Sequence, residues 1–234
     1  SLLCKELCLN LLMMGESCGY IALEESVRRT GLGILGLHVG KQLHLQEEVN
    51  MSELETAFGE SIGNGRFYTY DHWGSTDSDN LLAKIKYLCK GYGCDWIILD
   101  HLSIVVSGFE SGNERRLIDN TMTRLRTLVE ETGCGMIVVS HLRRPDGRGH
   151  EEGAATSLSQ LRGSAGIAQL SDFVISMERD QQDEENSNVS RLRVLKNRFS
   201  GETGLAGSLE FNKETGRLTE FTEVDEEEET EVPF

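Results

Sequence analysis

The chain of 234 residues predicts an α/β fold with a mostly parallel central sheet flanked by helices and an antiparallel extension at its C-terminal end. Short apolar runs typical of buried strands alternate with amphipathic helical patterns as far as residue 172, which favours a parallel sheet covered by helices. Beyond that point, strand patterns follow one another and are joined by glycine-containing turns, which indicates antiparallel pairing.

The first elements alternate helix and strand. A dense apolar pattern over residues 2–14 predicts a helix that Gly15 ends. CGYIAL, at residues 18–23, follows as a short buried strand. Residues 51–60 have a helical pattern, and RFYTYD at residues 66–71 alternates like a strand.

The next pair is a helix and an apolar strand. SDNLLAKIKYLCKG begins at Ser78 or Asp79, either of which suits a helix N-cap, and the glycines Gly91 and Gly93 end it. Its apolar positions form one stripe, made of Leu81, Leu82, Ile85 and Leu88. WIILD is a buried strand that closes on Asp100.

The second half continues the same alternation before it changes to strands alone. ERRLIDNTMTRLRTLVEETG is an amphipathic helix with Gly133 as its stop, and GMIVVSH is a strand that ends at His141. LRGSAGIAQLSD predicts a short helix and FVISMER a strand. The remaining strand predictions are SRLRVLKNR, GSLEFNKE and RLTEFTE.

Charge and cysteine content limit the classes of function. The net charge of −16 argues against indiscriminate nucleic-acid binding, although about half of the acidic excess lies in the tail from Glu220 onward. The six cysteines form no CxxC pair or zinc-site spacing, so we expect buried thiols in a reducing cytoplasm. No apolar run is long enough for a membrane span, and we expect no membrane partner.

Polar residues follow four of the predicted strands, where open α/β sheets bind their ligands: Glu24 and Glu25, Asp100 and His101, Ser140 and His141, and Arg179. Asp100 after WIILD suits a carboxylate that holds Mg²⁺ near phosphates, although taken alone it suits a helix cap equally well. Glu24, after a neighbouring strand, suits a general base that deprotonates water, whereas Glu25 suits a helix cap. His141 at the tip of a third strand suits a γ-phosphate sensor or a structural histidine.

The segment LKNRF contains two cationic residues whose spacing suggests a further functional role. Lys196 and Arg198 are two residues apart, so in a strand both side chains point to one face. Such a pair suits an arginine finger that reaches a neighbouring subunit to stabilise phosphoryl charge, and it equally suits solvated strand cations.

Eight blocks in order closely resemble the helicase domain of the phage bifunctional primase-helicases of the T-seven type. More distantly, they resemble mitochondrial Twinkle and the DnaB-type replicative helicases. The blocks span nearly the whole chain: LEES, CDWIILDHLSIVV, VVSHLRRPD, HEEG, LRGSAGIAQLSD, MERDQQ, LKNRFSGETGLAG and EFNKETGRL. The resemblance implies a RecA-like P-loop NTPase core and a replicative DNA helicase.

The resemblance also implies roles for single residues in hydrolysis. Glu24 matches the catalytic glutamate, Asp100 the Walker B aspartate that holds Mg²⁺, and His141 the histidine that senses phosphate. Gln169 matches a glutamine that couples the nucleotide site to DNA. Arg198 matches the arginine finger that one subunit provides to the nucleotide site of its neighbour, and Lys196 matches a companion lysine.

Nucleotide-base and DNA contacts are implied in the same way. Arg179 and Phe211 match an arginine and an aromatic residue that flank the base, with Phe211 in place of the common tyrosine. The loop after His141 matches one that grips single-stranded DNA, for which the candidates are Arg143, Arg144 and Arg148. Gly147 stands in this loop where a lysine is expected.

Residues 220–234 are predicted as an acidic, disordered tail, and residues 1–219 as the motor domain. The tail ends in Phe234, as in the family, where such a tail docks on the replicative DNA polymerase and competes with DNA for the single-strand-binding protein. A solubilising tail is the alternative interpretation.

The sequence contains no GxxxxGK[ST] phosphate-binding loop. We expect Ser1 to lie at or just past the Ser/Thr of that motif, as a ligand of Mg²⁺ and nucleotide, with the first strand and the loop upstream. We therefore predict that this polypeptide alone binds nucleotide poorly, hydrolyses it negligibly and forms no stable hexamer.

For the full-length parent, the prediction is a hexameric ring that uses ATP or dTTP to move 5′ to 3′ on single-stranded DNA and to unwind duplex. Two alternatives belong to other classes of protein. One is a RecA/RadA-type DNA-dependent ATPase of recombination, which lacks the KNRF finger followed by GETG. The other is a non-catalytic scaffold fragment.

Overall fold

Two four-stranded sheets form the framework of the chain in this computed structural model, one parallel and one antiparallel. The structure describes residues 2–46, 48–71, 78–102, 111–143, 149, 152–161 and 165–222. The α/β class with an antiparallel C-terminal part is therefore confirmed, and the antiparallel strands form a sheet of their own.

The described helices and strands alternate as far as the fifth strand, except that α2 and α3 follow one another. The helices are α1 (Leu2–Met13), α2 (Val27–Val39), α3 (Met51–Glu60), α4 (Ser78–Gly91), α5 (Ser111–Thr132) and α6 (Ala165–Leu170). The strands are β1 (Cys18–Ala22), β2 (Phe67–Thr69), β3 (Trp96–Asp100), β4 (Gly135–Val138), β5 (Phe173–Glu178), β6 (Val189–Asn197), β7 (Gly204–Phe211) and β8 (Leu218–Phe221). Short 3₁₀ turns occupy Leu43–Leu45 and Leu158–Gln160. None of these described helices is long and apolar enough to cross a membrane.

The first sheet is parallel and has the strand order β2-β1-β3-β4. Strands β1 and β3 are aligned so that Ala22 lies opposite Asp100, and the Leu23 amide donates to the Asp100 carbonyl at 2.7 Å. Both strands therefore end at the same edge of the sheet. The β4 strand is shorter than predicted, so Ser140 and His141 lie beyond its end.

Helices cover both faces of this sheet. Side chains alternate along β3, so that Ile97 and Leu99 pack with the apolar stripes of α4 and α5, while Ile98 packs with α1 and α2. All five residues of β1 are buried, as a strand covered on both faces requires. The predicted burial of the six cysteines is confirmed, and all six are free thiols.

The second sheet is antiparallel in the order β5-β6-β7-β8. It is tied to α1 by a buried carboxylate, because Glu6 accepts hydrogen bonds from the Arg217 guanidinium at 2.9 and 3.1 Å and from the Leu218 amide at 2.9 Å. Glu6 is only 5% exposed. The first helix and the last described strand thus hold the two sheets together.

Candidate functional site

Three predicted site residues lie at the carboxyl edge of the parallel sheet. Glu24 follows β1, Asp100 ends β3 and His141 follows β4. A fourth residue, His101, joins two of them. Its Nε2 lies 2.7 Å from Glu24 Oε1, and its ring centroid lies 3.8 Å from that of His141. Sequence reasoning noted His101 only as a strand-end residue and gave it no role.

His101 is buried, while Glu24 is open to solvent. The side chain of His101 is 5% exposed and that of Glu24 is 59% exposed. We assign the Nε2–H of His101 as the donor in this pair and the Glu24 carboxylate as the acceptor. Within the described part of the chain, His101 Nδ1 has no hydrogen-bond partner.

Asp100 is held by Tyr20, a residue of the neighbouring strand β1. The Tyr20 hydroxyl donates to Asp100 Oδ2 at 3.3 Å, and the Tyr20 side chain is fully buried. Burial, together with the charge of Asp100, raises the pKa of Tyr20 well above its ordinary value, so the hydroxyl stays protonated and remains a donor. Mg²⁺ prefers oxygen ligands, so the Asp100 carboxylate, held in place by a neutral donor, suits a Mg²⁺ ligand.

Glu25 has different surroundings from its neighbour Glu24. It lies 2.7 Å from Lys5 Nζ on α1 and 3.7 Å from Arg29 Nε on α2. Ser26, not Glu25, is the N-cap of α2, since its side chain accepts from the Arg29 amide at 3.3 Å. Glu25 therefore binds the two helices together, which leaves Glu24 as the accessible carboxylate.

The predicted finger residues lie at the end of α6, where Gln169 is also found. Arg198 donates to Asp172 Oδ1 at 2.8 Å and to the Gln169 carbonyl at 2.9 Å. Lys196 Nζ donates to three carbonyls at the end of this helix, at 2.6, 3.2 and 2.7 Å, which belong to Ala168, Gln169 and Ser171. Both cations thus lie on one face and complement the negative end of a helix.

Arg179 and Phe211 lie at the same end of the antiparallel sheet, where β5 and β7 finish and β6 begins. Arg179 Nε donates to the Ser187 carbonyl at 2.6 Å, and the Phe211 backbone amide donates to the Asn188 carbonyl at 2.9 Å. Arg179 also lines a cleft of about 160 Å³ together with Phe221, which the sequence analysis did not single out. Phe221 lies where the predicted strand RLTEFTE runs into the predicted tail, and nothing in that pattern indicated a cleft.

A second, larger cleft of about 550 Å³ lies beside α6. Arg143, Gln169 and Arg115 contribute to its lining, and the Arg143 amide donates to the Gln160 carbonyl at 2.7 Å. The structure thus places Arg143 and Gln169 on one cleft. Ser1, Arg144 and Arg148, as well as residues 223–234 with Phe234, lie outside the described residues.

Comparisons with known proteins bear on the family of the chain. The family model described as "DnaB-like helicase C terminal domain" matches residues 36–220. The DNA helicase/primase of Enterobacteria phage T3 is 43% identical over 211 residues, which are 88% of this chain and 37% of that protein. The replicative DNA helicase DnaC of Bacillus subtilis (strain 168) is 27% identical over 71% of this chain and 37% of its own length. The chain therefore spans well under half of these relatives.

A solved structure shows the same fold. The structure described as that of a DnaB-like replicative helicase and its interactions with primase superposes with a TM-score of 0.75 over 95% of this chain and 54% of that one, at 20% identity. This likeness concerns the RecA-like fold alone. The family is shown by the match over residues 36–220. The chain belongs to the DnaB-like helicase C-terminal domain family.

Proposed function

We propose that this chain is the motor domain of a replicative DNA helicase, which couples nucleoside triphosphate hydrolysis to 5′ to 3′ movement on single-stranded DNA and to duplex unwinding. The observation that carries the proposal is the placement of Glu24, Asp100 and His141 at one edge of the parallel sheet. In a chain of this family, that edge would hold the base, the metal ligand and the phosphate sensor. Function in the cytoplasm, of the host if the gene is viral, follows from the same proposal.

Glu24 is the proposed general base. Its Oε1 accepts from His101, and its exposed carboxylate leaves Oε2 to take the proton of the attacking water. Asp100, with Ser1 as the second proposed ligand, would hold Mg²⁺, which neutralises phosphate charge when ATP or dTTP is bound. Arg179 and Phe211 would flank the base of the nucleotide.

The path from nucleotide to DNA begins at His141. Its ring stacks on His101 beside Glu24, and the chain after it carries the proposed DNA contacts Arg143, Arg144 and Arg148. Basic residues that contact phosphates bind single strands without reading sequence. Gln169 lines the same cleft as Arg143, which supports the proposal that it transmits the state of this loop to α6.

Arg198 is the proposed finger for a neighbouring subunit of a hexameric ring, with Lys196 holding the segment that presents it. The side chain of Arg198 is 42% exposed and its partner Asp172 is 30% exposed, so this pair is weakly held and open to exchange. A phosphate of the next subunit would replace Asp172 as the anion at the guanidinium. The acidic tail that ends in Phe234 would dock on the replicative polymerase and compete for the single-strand-binding protein.

The two adjacent glutamates provide the test. In the full-length protein, Glu24→Gln should reduce single-strand-stimulated nucleotide hydrolysis by about 100-fold or more, since general-base catalysis is lost. Glu25→Gln should retain hydrolysis, because that carboxylate pairs with Lys5 and not with the site. Equal rates for wild type and Glu24→Gln, or loss in Glu25→Gln alone, would show that the base has been misassigned.

A further inference from the structure

His101 links the base to the sensor in this site, although no role was assigned to it from the sequence. Its imidazole lies between Glu24, at 2.7 Å, and the ring of His141, at 3.8 Å between centroids. The histidine is itself fixed, because it follows β3 directly and its side chain is 5% exposed. A rigid donor thus contacts a carboxylate that is otherwise free to change rotamer in solvent.

We infer that His101 is a positioning residue for the proposed reaction, and that its Nε2–H fixes Glu24 in the orientation from which the carboxylate can take a proton from water. This inference rests on the proposed function. A single hydrogen bond from a buried ring restricts the side-chain torsions of Glu24 and occupies Oε1. Oε2 is then the oxygen left for the water.

The same contact connects Glu24 to the DNA-binding loop. His141 begins the segment that carries the proposed DNA contacts, and its ring packs directly on His101. A shift of His141 when DNA binds would press on the imidazole that orients the base. His101 therefore contacts both the base and the residue at which the loop begins.

A bound metal ion is a weaker interpretation of the same cluster. The ligand atoms of Glu24, His101 and His141 lie within 4.8 Å of one another, which is compact enough for a metal site. Metal-ligating histidines, however, almost always donate their second ring N–H to an acceptor. A metal on Nε2 would put the ring proton on Nδ1, which has no acceptor among the described residues. When Nε2–H donates to Glu24 instead, neutral His101 carries no proton on Nδ1, so no second acceptor is needed.

Two amide substitutions separate positioning from mere folding. His101→Gln retains an N–H donor at about the reach of Nε2, whereas His101→Asn has the same amide on a side chain too short to reach Glu24. Both variants would be assayed in the full-length protein for single-strand-stimulated hydrolysis, with kcat and the nucleotide KM determined separately. Thermal melting would confirm that each variant is folded.

We expect His101→Asn to lower kcat by roughly 10- to 100-fold, since a displacement of about 1 Å in a reacting group has such an effect. The nucleotide KM should change by less than about twofold, because His101 does not contact nucleotide in the proposed site. His101→Gln should recover most of kcat. In the Glu24→Gln background, His101→Asn should cause no further loss, because positioning acts only through Glu24.

His38→Asn is the matched control, since His38 Nε2 also pairs with a glutamate, Glu60, at 3.2 Å but on the outer face of α2 and α3. It should leave kcat unchanged. Wild-type kcat in His101→Asn would overturn the inference, as would equal losses in the Asn and Gln variants or full additivity with Glu24→Gln. A wild-type protein that hydrolyses no nucleotide would instead overturn the proposed function itself.

Discussion

Tyr20 holds the carboxylate of Asp100 through a hydrogen bond from the neighbouring strand. It donates the hydrogen bond at 3.3 Å from a fully buried position, and its raised pKa keeps the proton on the hydroxyl. We predict that Tyr20→Phe raises the Mg²⁺ concentration that gives half-maximal hydrolysis by about tenfold, because partners behind a metal ligand have effects of this order. A titration of hydrolysis rate against Mg²⁺ in the full-length protein measures this.

Tyr68→Phe is the control for that experiment. The Tyr68 hydroxyl donates to the Gly65 carbonyl at 2.7 Å, so its removal costs a hydrogen bond of the same kind away from Asp100. Its Mg²⁺ dependence should match that of wild type. Identical Mg²⁺ curves for Tyr20→Phe and Tyr68→Phe would mean that Tyr20 does not tune the Asp100 carboxylate.

The residues at the site were predictable only where their place along a strand revealed them. Glu24, Asp100 and His141 each follow an apolar run, and the parallel alignment of β1, β3 and β4 then brings them to one edge. The contact between Glu24 and His101 was not predictable, since the two residues are 77 positions apart and the distance depends on the register of β1 against β3.

Glu178 at the end of β5 secures the loop that precedes α6 to the antiparallel sheet. It is 6% exposed and accepts from Arg193 Nε at 2.8 Å, and from the amide and hydroxyl of Thr156 at 2.8 and 2.7 Å. Burial favours the neutral acid, but the hydrogen bonds from Arg193 and Thr156 outweigh it and lower the pKa of Glu178. The ionised carboxylate is therefore part of the folded structure.

We predict that Glu178→Gln lowers the free energy of unfolding by about 2 kcal/mol at pH 7, because charged hydrogen bonds are lost. The lowered pKa means that this stabilisation is complete above the ordinary glutamate pKa and disappears as the pH falls through the folded value. The difference from wild type should therefore shrink at pH 3.5. Urea unfolding at pH 7 and pH 3.5 measures this difference in the free energy of unfolding, with the exposed Glu55→Gln as the control variant. A difference between wild type and Glu178→Gln that grows at pH 3.5 would show that the ionised Glu178 carboxylate does not stabilise the fold.

Element prediction succeeded for nearly all helices and strands and missed α2. Glycines at positions 31, 33 and 36 lower the helix propensity of this segment, so its pattern gave no helical signal. At two of them the packing leaves little room for a Cβ. A Cβ at Gly33 would lie 3.0 Å from the Lys5 side chain on α1, and one at Gly36 would lie 2.7 Å from the Lys41 carbonyl. Tertiary contacts that no local pattern shows therefore override propensity here.

The two sheets are held together through Glu6 and Arg217, which lie at opposite ends of the chain. Because Glu6 is buried and accepts three hydrogen bonds from Arg217 and Leu218, its removal leaves a partly buried guanidinium without its partner. We predict that Glu6→Ala destabilises the chain by about 3 kcal/mol. Chemical unfolding of the chain measures this.

Glu53→Ala is the matched control, since Glu53 pairs with Lys41 on the surface at 2.7 Å with both side chains well exposed. Surface ion pairs contribute little, so its effect should stay below about 1 kcal/mol. Equal effects of the two substitutions would show that the contact between α1 and β8 does not hold the sheets together.

Duplex unwinding by the full-length protein tests the central claim, which is that nucleotide hydrolysis at Glu24, Asp100 and His141 drives movement on DNA. With Mg²⁺ and ATP or dTTP, the wild type and Glu25→Gln should separate a forked duplex that carries a 5′ single-stranded tail, whereas Glu24→Gln should bind the fork without separating it. Unwinding by Glu24→Gln at the wild-type rate, or strand exchange without unwinding by the wild type, would contradict the account.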